Sequence, residues 1–438
     1  MNGALFRLVI VVSFAHALVH VYELALPSVE QLIGQEYDVG PDITGTMGTI
    51  WRLPFGFGAL LAGWLADRYG AKPLLITYLL GCAFTSILAW VSPTLSLEFV
   101  VMFAMGCFAS IYHPAGLALI SRESTPETRG PALGWHGIFG SIGIACAPLL
   151  ASIVFIFPSM DWRDYYLLLA IPGLVVAFLL KWGLKESHPR NGKNLVAETA
   201  STTPEKEEKV KTSSLSASVD DSDHVRWTEY FLLVLAGTLF GFLYAALMHF
   251  LPRYLSTTGL RPEEWSDRSF RNLLTALVLF CGALGQAWAG SIAKPDRLSW
   301  LFPAILFANV PCLLWMAFAD GPWRLAATGV TAFVHFMNQP IYNSLIARYI
   351  PNARRSVGYG FSNMMCFGIG SLGPGTIGLL LAFSATSYKD EWTYSLLALV
   401  ALIGFIVSFI LWTRGREGIP LKNHRGGPRQ KSELSVRK

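Results

Sequence analysis

Residues 63–73 read GWLADRYGAKP, with three charged side chains, Asp67, Arg68 and Lys72, confined to a short turn by Gly63, Gly70 and Pro73. On either side lies an apolar run, 44–66 and 74–92, each close to the length a helix needs to cross a bilayer. Two crossings joined by so short a charged loop form a hairpin with its turn at the membrane surface. Outward from it the pattern recurs. Apolar runs at 5–27, 96–121, 131–157 and 164–184 complete a set of six, and runs at 228–252, 272–293, 299–319, 323–349, 355–384 and 391–413 make six more. Composition agrees: 53% of the 438 residues are hydrophobic and only 14% charged, where a soluble chain carries about a quarter charged. The expected fold is an all-α polytopic membrane protein of about twelve transmembrane helices in two pseudo-symmetric six-helix bundles.

A polar stretch divides the halves. The expected organisation is a first bundle over 1–184, a cytoplasmic disordered linker over 185–226, a second bundle over 227–414 and a cytoplasmic basic tail over 415–438. The linker contains TTPEKEEKV, SSLSAS and DDSD, too few apolar residues to bury a core. Of the 34 Lys and Arg residues, 26 fall on the side that holds both termini and the linker, 7 on the other, and Arg52 lies inside a helix. That bias places both termini in the cytoplasm and the chain in a cell's inner membrane. The first external loop, SVEQLIGQEYDVGPDIT, agrees, with four acidic residues and no basic one.

The net charge of +5 comes from these short clusters rather than one basic face, so no nucleic-acid partner is expected. Cys82, Cys107, Cys146, Cys281, Cys312 and Cys366 fall singly within apolar segments, so neither a disulfide nor a metal site is expected, and no cofactor. The stretch from Leu8 to Leu26 holds His16, His20 and Glu23 and leads into no cleavage pattern, so it reads as a retained first helix.

Sliding the second half by 226 residues aligns Pro114 with Pro340, Arg122 with Arg348 and Pro148 with Pro374. With a one-residue adjustment, ELALP at 23–27 meets HFLP at 249–252. Two parallel six-helix repeats suit a rocking transporter that holds its solute between the halves near the midplane.

The turn at 63–73 also reads as a latch. Asp67 at a helix end can pair with basic groups or a helix N-terminus of the opposite half while the cytoplasmic side is closed. These residues resemble the signature loop of the major facilitator superfamily: Gly63, Asp67, Arg68, Gly70 and Lys72 match, and Ala71 stands where the family often has a basic residue. The second half carries a degenerate echo, GSIAKPDRLSW at 290–300, through Asp296 and Arg297. From 110 to 150, SIYHPAGLALISR, a short turn and GWHGIFGSIGIACAPLL resemble the fosmidomycin-resistance type of facilitator through His113, Pro114, Gly140, Gly143 and Pro148, with Ala147 in place of a glycine. That resemblance implies drug efflux, by exchange. Gly140, Gly143 and Pro148 in helix 5, and Gly370, Gly373 and Pro374 within GIGSLGPGTIG at 368–378, are candidates for helix bending, with close packing an equal explanation.

Ionisable groups at bilayer depth are costly unless they face a cavity or a partner. On helix 1, His16, His20 and Glu23 share one stripe, and Glu23 with His20 suits proton uptake and release. Arg52, in GTIWRLPFG, needs Glu23 or an anionic solute as partner. On helix 10, His335, Asn338, Gln339, Tyr342 and Asn343 recur at helical spacing as a candidate substrate wall, or as a helix-to-helix seam. His113, His136, His249 and Asn363 add further polar groups to the pathway. No GxxxxGK[ST] loop appears and no segment suits a fuel-hydrolysing domain. The expected function is secondary transport of a small solute, anionic or drug-like, coupled to protons, by a monomer that is not an enzyme. A solute sensor, or a membrane enzyme using His113 or His136 as base, stays open at this point.

Overall fold

A computed structural model describes residues 1, 3–183, 225–351, 355–383 and 389–417. Of the expected linker over 185–226, residues 185–224 lie outside these described residues, as do residues 418–438 of the expected tail over 415–438. The first half contains α1 (Gly3–Glu36), α2 (Pro41–Tyr69), α3 (Ala71–Val91), α4 (Leu95–Ala109), α5 (Tyr112–Glu123), α6 (Pro126–Val154) and α7 (Trp162–Gly183). The second contains α8 (Trp227–Leu255), α9 (Asp267–Ile292), α10 (Leu298–Phe318), α11 (Trp323–Phe336), α12 (Asn338–Tyr349), α13 (Arg355–Asn363), α14 (Leu372–Phe383) and α15 (Lys389–Glu417).

Ten helical stretches among the described residues are long and apolar enough to cross a membrane. The remaining two crossings are α2 and the pair α11–α12. Arg52 with its Gly and Thr neighbours lowers the hydropathy of one, and the polar residues around His335 lower that of the other. Large apolar side chains such as Phe84, Phe178, Leu284 and Phe318 are exposed on the outer faces, as lipid requires.

The fourth crossing of each half is broken, α4–α5 at Ser110–Ile111 and α11–α12 at Met337. Segments α5 and α12 start 226 residues apart, at Tyr112 and Asn338, and end 226 apart, at Glu123 and Tyr349. Each carries its proline, Pro114 or Pro340, in the first turn, where the missing N–H is tolerated and the preceding helix cannot continue through it. The repeat offset read from the sequence is therefore a structural offset. The eleventh crossing is continued between α13 and α14 by a π-helical turn, Met364–Ile369, a common cause of a local bend.

Within the first bundle α1 packs on α6 and α7, and α3 on α4 and α7; in the second α10 packs on α15, and α9 on α11. The bundles meet where α2 lies on α14 and the π turn, α6 on α9, and α1 on α8. The meeting is tight where glycines allow it: a Cβ on Gly45 would strike the Pro374 carbonyl, and one on Gly56 the Gly368 backbone.

The side away from the termini is closed. There Arg253 on α8 pairs with Glu30 on α1 at 2.8 Å, Arg268 donates to the Pro158 carbonyl at 2.8 Å, Asn272 to the Ser28 carbonyl at 3.0 Å, and Ser269 to the Ser152 carbonyl at 2.8 Å. The expected end of helix 1 near residue 27 is passed by nine residues. Glu30 stays helical and buried because Arg253 and Thr44 satisfy its carboxylate. Toward the termini, α6 behaves differently from its outer half: a Cβ at Gly130, Gly134 or Gly137 would meet nothing within 4 Å.

Candidate functional site

The stripe of His16, His20 and Glu23 on α1 is buried. Glu23, 2% exposed, accepts from His20 Nδ1 at 2.7 Å through Oε2 and from Arg52 Nη1 at 2.6 Å through Oε1. Arg52 reaches in from α2, also buried, and its second terminal nitrogen, Nη2, has no hydrogen-bond partner among the described residues. The guanidinium lies 5.4 Å from the ring centroid of Tyr244 on α8, in the opposite half. Nε2 of His335 likewise has no partner among the described residues, and the buried Tyr244 hydroxyl stands close to both Glu23 and Arg52, without a hydrogen bond of good geometry to either.

Four histidines gather beside this ion pair. His16 Nδ1 donates to the His136 carbonyl at 2.7 Å, and the two rings stack with centroids 4.0 Å apart. Tyr112 donates its hydroxyl to the Val12 carbonyl at 2.8 Å, and its oxygen lies 3.3 Å from His136 Nδ1. His113 from α5 stands edge-on to His16 and parallel to Phe367 of the second half. His249 is fully buried against Gly48, where a Cβ would come within 2.5 Å of its ring.

The polar stripe of the tenth crossing divides at the break at Met337. His335 stacks on Phe240 at 3.9 Å and donates Nδ1 to Asn309 Oδ1 at 3.1 Å. Tyr342 bonds to Ser362 at 2.6 Å and lies 3.4 Å from Cys366 Sγ, tying this crossing to the eleventh. Asn338 is buried with its Oδ1 unpartnered among the described residues, whereas Gln339 and Asn343 are exposed and Asn363, at the end of α13, is half-buried.

At the signature turn, Asp67 accepts from Arg122 at 2.9 Å, both side chains largely exposed and both in the first half. Arg68 lies over Trp64 and Tyr69, and Gly70 has φ +92°, a backbone state that favours glycine. Lys72 follows Gly70 in the first turn of α3. In the second half, Arg348, which the 226-residue offset aligns with Arg122, donates to Ser299 at 2.7 Å, while Asp296 and Arg297 are an exposed pair 3.9 Å apart. Of the glycines expected to bend helices, Gly140 abuts the His16 ring and Gly143 the Ala17 backbone, seating α6 on α1. Gly370 abuts Cys366 and Gly241, and Gly373 lies against Phe242 on α8. Pro148 is buried within α6, and Pro374 faces Gly45.

Sequence reasoning missed Tyr244, a lone tyrosine in an apolar run, and the pair Glu30–Arg253, whose members read as loop charges. For Glu30 a signal existed, since Glu23, Glu30 and Arg253 sit near prolines that the repeat aligns.

A twelve-crossing, two-bundle helical protein with buried charges where the halves meet is a secondary-transporter architecture. The chain belongs to the Major Facilitator Superfamily, whose sequence profile matches residues 10–374. It is 26% identical over 353 residues, 79% of this chain and 81% of the relative, to a candidate niacin/nicotinamide transporter, NiaP, of Bacillus subtilis. It is 25% identical over 343 residues, 73% of this chain and 76% of the relative, to a Na+, Li+, K+/H+ antiporter of Planococcus maritimus. In fold it is similar to a bacterial homologue of the human lysosomal transporter Spinster in an inward-facing, unoccupied conformation, with a TM-score of 0.73, 13% identity and coverage of 95% of this chain and 98% of the other. The protein is thus a multi-pass membrane transporter of a small-molecule solute.

Proposed function

We propose that this transporter couples protons to a small anionic solute, working as a monomer in the inner membrane with both termini in the cytoplasm. The observation that carries the reading is Arg52: one nitrogen holds Glu23, and the other, Nη2, is buried near Tyr244 of the opposite half without a hydrogen bond of good geometry. A buried guanidinium with a vacant donor is the natural seat for a carboxylate or phosphonate. Protonation of Glu23 weakens its hold on Arg52 and frees the guanidinium for the solute's acid group. Loss of that proton on the other side restores the ion pair and displaces the anion. Proton and anion then travel together, each requiring the other for charge balance in a low-dielectric cavity.

The aromatic and imidazole walls suit a flat solute, and the relative named for niacin makes nicotinate a sensible first probe. The fosmidomycin-type likeness at 110–150 and the cation/proton antiporter relative support the opposite coupling, efflux by exchange. The sign of proton movement separates the two. Purified protein in liposomes with a lumenal pH dye receives pulses of nicotinate, other small carboxylates, phosphonates and, for contrast, lipophilic cations. Lumenal acidification on entry of an anion is expected. The Glu23→Gln variant is expected to keep solute exchange and lose proton-driven accumulation; unchanged accumulation removes Glu23 from coupling, and a response to cations alone overturns the anion assignment.

A further inference from the structure

We propose that His16, His20 and His113 form a binding site for a borderline divalent transition-metal ion of the Zn2+ type, with three imidazole ligands and a fourth position left for water or an acid group. The site lies beside the proposed transport path but does not depend on any transport reading, because it follows from side-chain geometry alone.

Three ring centroids define a nearly equilateral triangle: His16 to His20 is 5.0 Å, His16 to His113 is 5.4 Å and His20 to His113 is 5.6 Å. With metal–nitrogen bonds of about 2.0–2.1 Å, tetrahedral ligation places three imidazole centroids about 5 Å apart. One ring nitrogen from each lies within 4.8 Å of the others, against about 3.4 Å between neighbouring ligands at such bond lengths, so the three nitrogens draw together when the ion binds.

The groups behind the ligands are those a metal site uses. A ligating histidine usually donates its other N–H to a carbonyl or carboxylate, which fixes the tautomer and aims the free nitrogen at the metal. His16 gives its Nδ1 proton to the His136 carbonyl and His20 gives its own to Glu23. In both, Nε2 is the nitrogen left to ligate. His113 Nε2 is buried and has no partner among the described residues, a cost that a ligand at this position removes. Glu23 supplies negative charge one bond behind the metal, offsetting the nearby Arg52. Three neutral nitrogens without thiolate or multiple carboxylates suit Zn2+, Co2+ or Ni2+ rather than Ca2+ or Mg2+.

Tag-free purified protein is titrated with Co2+ and then Zn2+. One Co2+ per chain with the intense visible absorption of four-coordinate cobalt, displaced by Zn2+, is expected, together with at least a hundredfold weaker binding in His113→Gln. Glu23→Gln, which removes the anion behind His20, is expected to weaken Zn2+ by 10–100-fold. Should a variant fail to fold, the wild type decides: Zn2+ is expected to protect His16, His20 and His113 from carbethoxylation, read by mass spectrometry of peptides. A weak six-coordinate cobalt spectrum, equal affinity in folded His113→Gln, or unchanged modification of the three histidines overturns the site.

Discussion

The Glu30–Arg253 pair is the most direct handle on the conformational equilibrium, because its two members sit on opposite bundles and are joined only while the side away from the termini is closed. Glu30 is 1% exposed at its side chain and Arg253 32%, and Thr44 gives Glu30 a further hydrogen bond at 3.0 Å. Removing one partner of a fully buried pair costs about 3–5 kcal/mol. Arg253 is a third exposed, its removal admits water, and Thr44 remains, so the discounted cost of Arg253→Gln to this closed state is about 1–3 kcal/mol. An opened state, in which Glu30 is hydrated, escapes that cost. Its population is therefore expected to rise by roughly 5- to 150-fold.

The assay is chemical access to a cysteine placed at Ser269, which is 1% exposed and faces Ser152 in the sealed layer, in a background lacking the six native cysteines. A membrane-impermeant maleimide applied from the side opposite the termini labels it at a rate set by the open population. A labelling rate within twofold of the parent refutes the reasoning. So does a double variant, Glu30→Gln with Arg253→Gln, that labels as fast as Arg253→Gln alone, because removing the orphaned acid should restore closure.

Two further outcomes follow from the helices around the site. Gly143→Ala puts a methyl within 2.6 Å of Ala17 Cα and is expected to destabilise the first bundle by about 1–3 kcal/mol, read as lowered thermal stability in detergent. Gly134→Ala meets nothing within 4 Å and is expected to leave thermal stability unchanged or slightly raised while slowing transport; equal losses of stability in the two variants would contradict this packing account. For Asp67→Asn, the partner Arg122 is in the same half and the pair is exposed, so folding is expected to be unaffected and solute binding preserved, with transport lost if Asp67 serves the state closed toward the termini. Normal transport removes it from the mechanism.

The crossings were legible because a bilayer imposes long apolar runs, and the repeat was legible because Pro114 and Pro340 break both fourth crossings at the same offset. The partnership of His20, Glu23 and Arg52 could be anticipated: two members share a helical stripe, and the third is a buried cation with few candidate partners. The helix 10 face could be read only as a face. The break at Met337 separates His335 from Tyr342, and each turns to a neighbouring helix, which periodicity computed through an unbroken helix does not reveal. His113 joins the α1 histidines only in three dimensions, across 93 residues from His20, so spacing along the chain shows no more of this cluster than His16 and His20. Tyr244 carries no charge and sits in an apolar run, and nothing local distinguishes it.

The glycines of α6 have a meaning that reaches past the conformation described. In its outer half, Gly140 and Gly143 are filled sockets, each with a neighbour lodged where a side chain would be. In its inner half, Gly130, Gly134 and Gly137 are empty ones, at helical spacing and with nothing against them. Each glycine weakens a helix by about 1 kcal/mol relative to alanine, and here that weakening is matched by no close approach. One helix thus carries two kinds of glycine: an outer pair moulded to α1, and an inner set that leaves room for a neighbour to come close.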